Sequence, residues 1–293
     1  MQGALTRIGA GALALTVAAG LAACGDDDKE SKKSATAPSG NELAVTVTES
    51  GKAAKVTAPK TAKGGLVTVK LNNQGKQPHE AQLLQIKGDH TPEDVQKAFG
   101  EDDTSKNEWL RAAGGVGSTA PGQTGTGTVT LDPGKYMVAD LSQEGDAPPA
   151  YTLVDVSAGE EGSLPTTETT VTAEEVGDDK YKWEISGPLK SGGSEITFKS
   201  EGKEAIHLIA AARLTKDVSK KEVVKALGEE GKPPPFIDEK SFSSTAILDG
   251  EKSQVTQFRF SQPGKWVLFC PLPDRGEDKP HDQQGLAEIV DVQ

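Results

Sequence analysis

Pro263-Gly264-Lys265-Trp266-Val267-Leu268-Phe269-Cys270-Pro271, followed by the loop from Leu272 to Pro280 and then His281-Asp282-Gln283-Gln284-Gly285-Leu286, is the stretch on which the reading of this chain turns. Pro-Gly is a turn pair, and the run behind it places Trp266, Leu268 and Cys270 at one parity. On a strand those three share a face, so the Cys270 thiol is expected to look into the core end of a sheet. In the earlier run His207-Leu208-Ile209-Ala210-Ala211, His207, Ile209 and Ala211 also share a parity, and the imidazole is expected to point inward among apolar neighbours.

Outward from this stretch the sequence repeats itself. Pro263-Gly264-Lys265-Trp266 matches Pro133-Gly134-Lys135-Tyr136. Ser219-Lys220-Lys221-Glu222-Val223-Val224-Lys225-Ala226-Leu227-Gly228-Glu229 lines up with Thr91-Pro92-Glu93-Asp94-Val95-Gln96-Lys97-Ala98-Phe99-Gly100-Glu101, and at that same offset His207 falls on His79. The copies end alike, in Val154-Asp155-Val156 and Val290-Asp291-Val292. They are placed at 41–158 and 171–293, with 159–170, rich in Thr and Glu and holding Pro165, as the linker.

Each copy reads mostly as short strands. Leu43, Val45 and Val47 alternate with other residues, as do Val67, Val69 and Leu71, then Tyr181, Trp183 and Ile185, then Ile196 and Phe198. Period two with one apolar face indicates half-buried antiparallel strands. The segments 91–99 and 219–227 have helical spacing instead, with Thr91 and Ser219 as N-caps. The expected fold is all-β: two tandem Greek-key sandwiches, each with a short inserted helix. Strand pattern alone leaves immunoglobulin-like and cupredoxin-like sandwiches open.

Composition agrees. A chain of 293 residues suits two domains of roughly 100–150 each. With 33 Gly, 17 Pro and 4% aromatics it is rich in turns and poorly suited to a large helical bundle. A net charge of −12 argues against nucleic acid, because phosphate binding needs clustered Lys and Arg. Two cysteines exclude a disulfide framework. Gly114-Gly115-Val116-Gly117 lacks the lysine and following helix of a phosphate loop, and His79-Glu80 lacks the second histidine of a zinc-protease helix.

The C-terminal stretch resembles the ending of blue-copper, or cupredoxin, domains. There a Gly-x-aromatic strand delivers a cysteine, a loop follows, and a histidine and an axial methionine come next. The resemblance covers both copies as fold, but only the second carries the ligand motif. It implies a copper site made by His207, Cys270 and His281, with His207 standing where that family takes a histidine from an earlier strand. One thiolate and two imidazoles suit copper in either oxidation state. The loop 271–280 is long for small members of the family and similar in style to the type 1 site of copper nitrite reductases. Leu286 stands at the axial position. Either the implied site is three-coordinate under an apolar cap, which favours the reduced ion, or it has decayed and Leu286 is core. In the first copy Asp140 aligns with Cys270 and only His79 of the set is kept, so this copy is expected to bind no such copper, with His79 and His90 structural or at the surface.

The N-terminus opens with Arg7 and an apolar run from Ile8 to Ala23, too short and weak to span a bilayer and suited to an export signal. It closes in Leu21-Ala22-Ala23-Cys24, which resembles the lipobox of bacterial lipoproteins. That resemblance implies loss of 1–23, lipidation of Cys24 and attachment to the extracytoplasmic face of the cell membrane. The other reading is a plain secretory signal. The stretch 24–40 has little to bury and is expected to be a flexible tether.

The expected function is therefore a membrane-anchored lipoprotein that binds one copper ion in its second copy, for electron transfer or copper handling with an extracytoplasmic redox or copper-trafficking partner. It is expected not to be an enzyme, because four histidines are too few for the additional copper clusters of a multicopper oxidase or nitrite reductase. The alternative is a non-catalytic binding or scaffold lipoprotein with metal-free sandwiches.

Overall fold

The structure, a computed structural model, describes residues 41–51, 53–99, 107–142, 149–177, 180–202, 205–229 and 234–293. The segments expected as export signal (1–23) and tether (24–40), with Cys24, lie outside them. No helix among the described residues is long and apolar enough to cross a membrane.

The N-terminal half runs through β1 (Asn41–Ser50), β2 (Ala53–Thr57), β3 (Thr61–Lys63), β4 (Gly65–Asn73), β5 (His79–Ile86), α1 (Pro92–Phe99), β6 (Leu110–Thr119), β7 (Thr124–Leu131), β8 (Gly134–Asp140) and β9 (Ala150–Ser157). The C-terminal half continues with β10 (Thr169–Gly177), β11 (Lys180–Ser186), β12 (Ser194–Ser200), β13 (Ile206–His207), β14 (Ala210–Leu214), α2 (Lys220–Leu227), β15 (Ile237–Ser244), β16 (Leu248–Asp249), β17 (Lys252–Phe258), β18 (Gly264–Phe269) and β19 (Ala287–Val292).

The strands form where the alternation predicts them. Leu43, Val45 and Val47 are buried on β1 while Glu42 and Ala44 face out, and Val67, Val69 and Leu71 fill the same core from β4. The helices begin at the predicted caps. Ser219 accepts from the Glu222 amide and Glu222 answers onto the Ser219 amide, a reciprocal capping box. Thr91 and Asp94 exchange the same pair of bonds, at 3.2 and 2.7 Å.

The chain is all-β with Greek-key sandwiches, and of the three sheets among the described residues two cross from one half to the other. One sheet runs β11-β10-β12-β17-β7-β4-β1-β2, the second β13-β16-β6-β5-β8-β9-β3, and the third is β15-β14-β18-β19. The crossings are β17 against β7, where Val255 meets Thr128, and β16 against β6, where Leu248 meets Ala113. Glycines allow the close approach there. A Cβ on Gly117 would stand 2.0 Å from the Ser244 carbonyl oxygen across the junction, and, within the N-terminal half, one on Gly127 would stand 2.0 Å from that of Gly115. This gives Gly114-Gly115-Val116-Gly117 a packing role.

Two apolar clusters result. One lies inside the N-terminal sandwich, between Val45, Val69, Leu83 and Val138 and their neighbours. The larger fills the C-terminal half and takes in Leu84, Ile86, Leu110 and Met137 from the other half, so β5, β6 and β8 are covered on both faces. Two buried amides close the junction. Gln82 Nε2 donates to Ile247 O at 3.1 Å and its Oε1 accepts from Ile247 N at 2.6 Å, while Gln254 Oε1 accepts from Gly115 N at 3.0 Å.

Candidate metal centre

β18 delivers Cys270 at its end, between β14 and β19. The Cys270 amide donates to Leu286 O at 3.0 Å, and its carbonyl accepts from Asp282 N at 2.8 Å. The loop beyond is closed at its base by a bridge between Pro273 and Pro280, and the His281 amide returns to Leu272 O at 2.9 Å. His281 then opens a single 3-10 turn, His281–Gln283, from whose first carbonyl Leu286 N takes a 2.8 Å bond. Leu286, the residue at the axial sequence position, is fully buried and tied by its backbone to both Cys270 and His281.

His207 arrives differently from the sequence expectation. The run from His207 to Ala211 reads as one strand, but it is split into β13 and β14, which belong to different sheets. Thr245 causes the break: its hydroxyl and amide take both backbone groups of Ile209, at 3.0 and 2.9 Å. His207 pairs with Leu248 of β16 instead, and its neighbours on both parities are buried.

The structure brings the three predicted side chains together. His207, Cys270 and His281 are each 0% exposed. Cys270 Sγ lies 3.6 Å from His281 Nδ1, and the two imidazole centroids are 4.5 Å apart. Tyr181 of β11 covers them, its ring 5.0 Å from His207 and 4.6 Å from His281. Among the described residues, no group of three or more His, Cys, Asp or Glu side chains stands in position to hold a metal ion; His281 is the member that meets both of the others.

The donor chemistry fits a thiophilic cation such as copper. Ser200 Oγ sits 3.0 Å from His207 Nδ1 and directs its own proton to Leu248 O at 3.4 Å. His207 Nδ1 is then the donor to Ser200, and Nε2 carries a lone pair. That Nε2 is buried with no hydrogen-bond partner, an acceptor held out of water with nothing to accept. Burial, with the neighbouring His281 charge, pushes the His207 pKa down to about 3, which keeps its ring neutral and able to ligate. Burial also opposes charge on His281, but contacts with Asp274 and Cys270 outweigh it, and its pKa is pushed up to about 9.

Three further residues complete the site, and the sequence reading missed them. Asp274 Oδ1 lies 3.1 Å from His281 Nε2, a close ionic contact without hydrogen-bond alignment. Tyr181 donates its hydroxyl to Asp274 Oδ2 at 2.7 Å, and Ser200 holds His207. The inward parity of Tyr181 with Trp183 was visible, but nothing in sequence joins β11 to a loop so distant along the chain. The equivalent place in the N-terminal half holds ions instead: His79 Nδ1 meets Asp140 Oδ2 at 2.7 Å and Nε2 meets Glu49 Oε1 at 2.9 Å. His90 stacks on Trp109, ring centroids 3.9 Å apart.

No protein-family model and no curated protein matches the sequence. Solved structures do. A multicopper oxidase is similar at 14% identity over 88% of this chain and 92% of its own, with a TM-score of 0.23. Auracyanin B is similar at 17% identity over 42% of this chain and 86% of its own, with a TM-score of 0.27. The blue copper oxidase of Nitrosomonas europaea is similar at 14% identity over 86% and 85%, with a TM-score of 0.23. The expectation of a non-enzyme is corrected at this point: two of these three similar structures are named as oxidases, so non-enzymatic character is withdrawn. At such scores none lends this chain its own activity.

Proposed function

We propose that this protein binds one copper ion through Cys270, His207 and His281, for electron transfer or copper handling on the outer face of the cell membrane, to which a lipid on Cys24 attaches it. One observation carries the reading: the Cys270 thiol and the His207 imidazole, far apart in sequence, both lie against the His281 imidazole, all three fully buried and the Nε2 of His207 unpartnered. Copper there would supply a one-electron couple. The residues supply the rest. Cys270 and His281 are held by backbone bonds at the loop base, and Ser200 fixes the His207 ring. Tyr181 excludes water, and buried, pre-set ligands need little rearrangement between oxidation states. Leu286 at the axial position would leave the site without a fourth donor.

Titration of the full chain with Cu(II) is expected to develop an intense visible thiolate charge-transfer band that saturates at about one equivalent, one site being all that the three side chains make. Cys270→Ser is expected to lose the band. A colourless protein whose Cys270→Ser variant takes up copper equally well would remove the metal reading. The anchor has its own check. Cys24→Ser is expected to move the protein from the membrane fraction to the soluble one, since the acyl chains are the proposed hold on the bilayer; a variant that stays with the membrane defeats that part alone.

A further inference from the structure

The ligand loop 271–280 has a second anchor, made by β16 together with β6 of the other half of the molecule. Arg275, at mid-loop, has a side chain only 4% exposed. Its Nη2 donates to Asp249 Oδ1 at 2.6 Å and to Leu110 O at 3.2 Å. Asp249, on β16, also accepts from Ala112 N at 2.9 Å and from Arg111 Nη1 at 3.4 Å. Leu110, Arg111 and Ala112 all belong to β6, in the N-terminal half.

This cluster touches both histidine-bearing segments. The two residues of β16 divide the work: Leu248 pairs with His207 and with Ala113 of β6, while Asp249 takes Arg275. On the loop, Arg275 adjoins Asp274, whose carboxylate lies against His281 and the Tyr181 hydroxyl. The backbone at 274–275 is thus pinned on two sides, outward to β6 and inward to the imidazole. A shift of the arginine carries the aspartate with it.

We infer that Arg275 is a positioning residue for the His207–Cys270–His281 pocket, and that through Arg275 and Asp249 the N-terminal half sets the geometry of a centre to which it contributes no ligand. The inference rests on the copper reading for its consequence, though not for its geometry. Residues that orient metal ligands govern affinity and electronic structure, and their loss typically weakens binding by about 10–100-fold.

The test uses the full chain with Arg275→Ala, Arg275→Lys and Asp249→Asn, and with Val69→Ala, in the N-terminal core, as a control for lost stability. Without metal, amide hydrogen exchange across 271–282 is expected to quicken by about tenfold or more in Arg275→Ala and Asp249→Asn, and to stay unchanged in Val69→Ala. With Cu(II), the thiolate band is expected to shift and copper affinity to fall by about tenfold in the first two, with partial recovery in Arg275→Lys. Arg275→Lys keeps a cation and serves if the alanine variant does not fold. Variants that lose stability while loop exchange and band stay as in the wild type overturn the inference, leaving Arg275 a structural ion pair. A wild type without any thiolate band defeats the copper reading separately, and the metal-free exchange then still decides whether Arg275 holds the loop.

Discussion

His79 occupies the place in the N-terminal half that His207 occupies in the C-terminal half, and the two are tuned in opposite directions. Burial works against charge on His79, but Asp140 and Glu49 on its two nitrogens outweigh it and raise its pKa. Burial likewise opposes charge on Glu49, but bonds from His79 and from the Lys76 and Gln77 amides lower its pKa. Glu80, half-buried beside the same group, is pushed up to about 8 by burial and by the Asp140 charge. His79, with a folded pKa above its ordinary 6.5, contributes stability that is complete below that value and lost as pH rises through the folded pKa. Glu80 carries the same sign, its contribution being lost as pH rises from 4.5 through about 8. Glu49 acts at the other end, losing its contribution as pH falls below 4.5. The melting temperature of the metal-free chain is therefore expected to fall between pH 6.5 and 9. His79→Gln is expected to cost about 3 kcal/mol at pH 6, because it strands a buried carboxylate, and to flatten the decline. The raised His281 leaves a residual slope of the same sign. Equal slopes in wild type and variant, measured by thermal melts across that range, would show that the His79 ion cluster does not set the pH response. Residue types carried this contrast in the sequence: Asp140 where the other copy has Cys270 already marked the two pockets as chemically different. The second acid, Glu49, carried no such mark, because it comes from β1 on the facing sheet.

The elements divide by whether one face or two are buried. Where one face meets water, as on β1, β4 and α2, parity and caps place the element closely, since the polar residues report the other face. Where both faces are covered the alternation vanishes. Trp266, Val267, Leu268 and Phe269 are all buried, and so are Ala205 through Ala212. The parity argument for Cys270 and His207 thus reached a correct burial for a reason that also fits their neighbours. The split between β13 and β14 left no apolar signature, because it depends on a threonine far along the chain taking the Ile209 backbone groups. The ligand motif was legible for the opposite reason. Cysteine and histidine are rare here and their spacing survives any register, whereas Asp274 and Arg275 are two charged residues among many on a loop and gain meaning only from what they face. Gly285 belongs to the same class. Its φ of +129° and a Cβ position 1.9 Å from the Tyr181 carbonyl oxygen show that β11 lies directly on the turn after His281, which no local pattern announces.

At the scale of the whole molecule, the repeat in sequence suggests two bodies and the hydrogen bonds describe one. Two of three sheets are continuous across the halves, the larger core draws side chains from both, and Gln82 and Gln254 are buried amides whose partners lie across the junction. Separating the halves would expose the apolar faces of β5 and β6, break the bonds of Gln82 to Ile247 and of Gln254 to Gly115, and strip the Arg275–Asp249 pair of its bonds to Leu110 and Ala112, each a cost that neither half recovers alone. The metal-free chain is accordingly expected to unfold in a single calorimetric transition, with calorimetric and van't Hoff enthalpies in a ratio of about 1. Gln82→Leu is expected to lower its stability by about 1–3 kcal/mol, because the Ile247 amide then loses its acceptor in a site closed to water. It should move the one transition as a whole, since the cost falls on a bond that both halves share. Two resolved transitions in the wild type, only one of them sensitive to Gln82→Leu, would mean that the shared sheets do not bind the halves into a single folding unit, and that control of the ligand loop from β6 is too weak to matter.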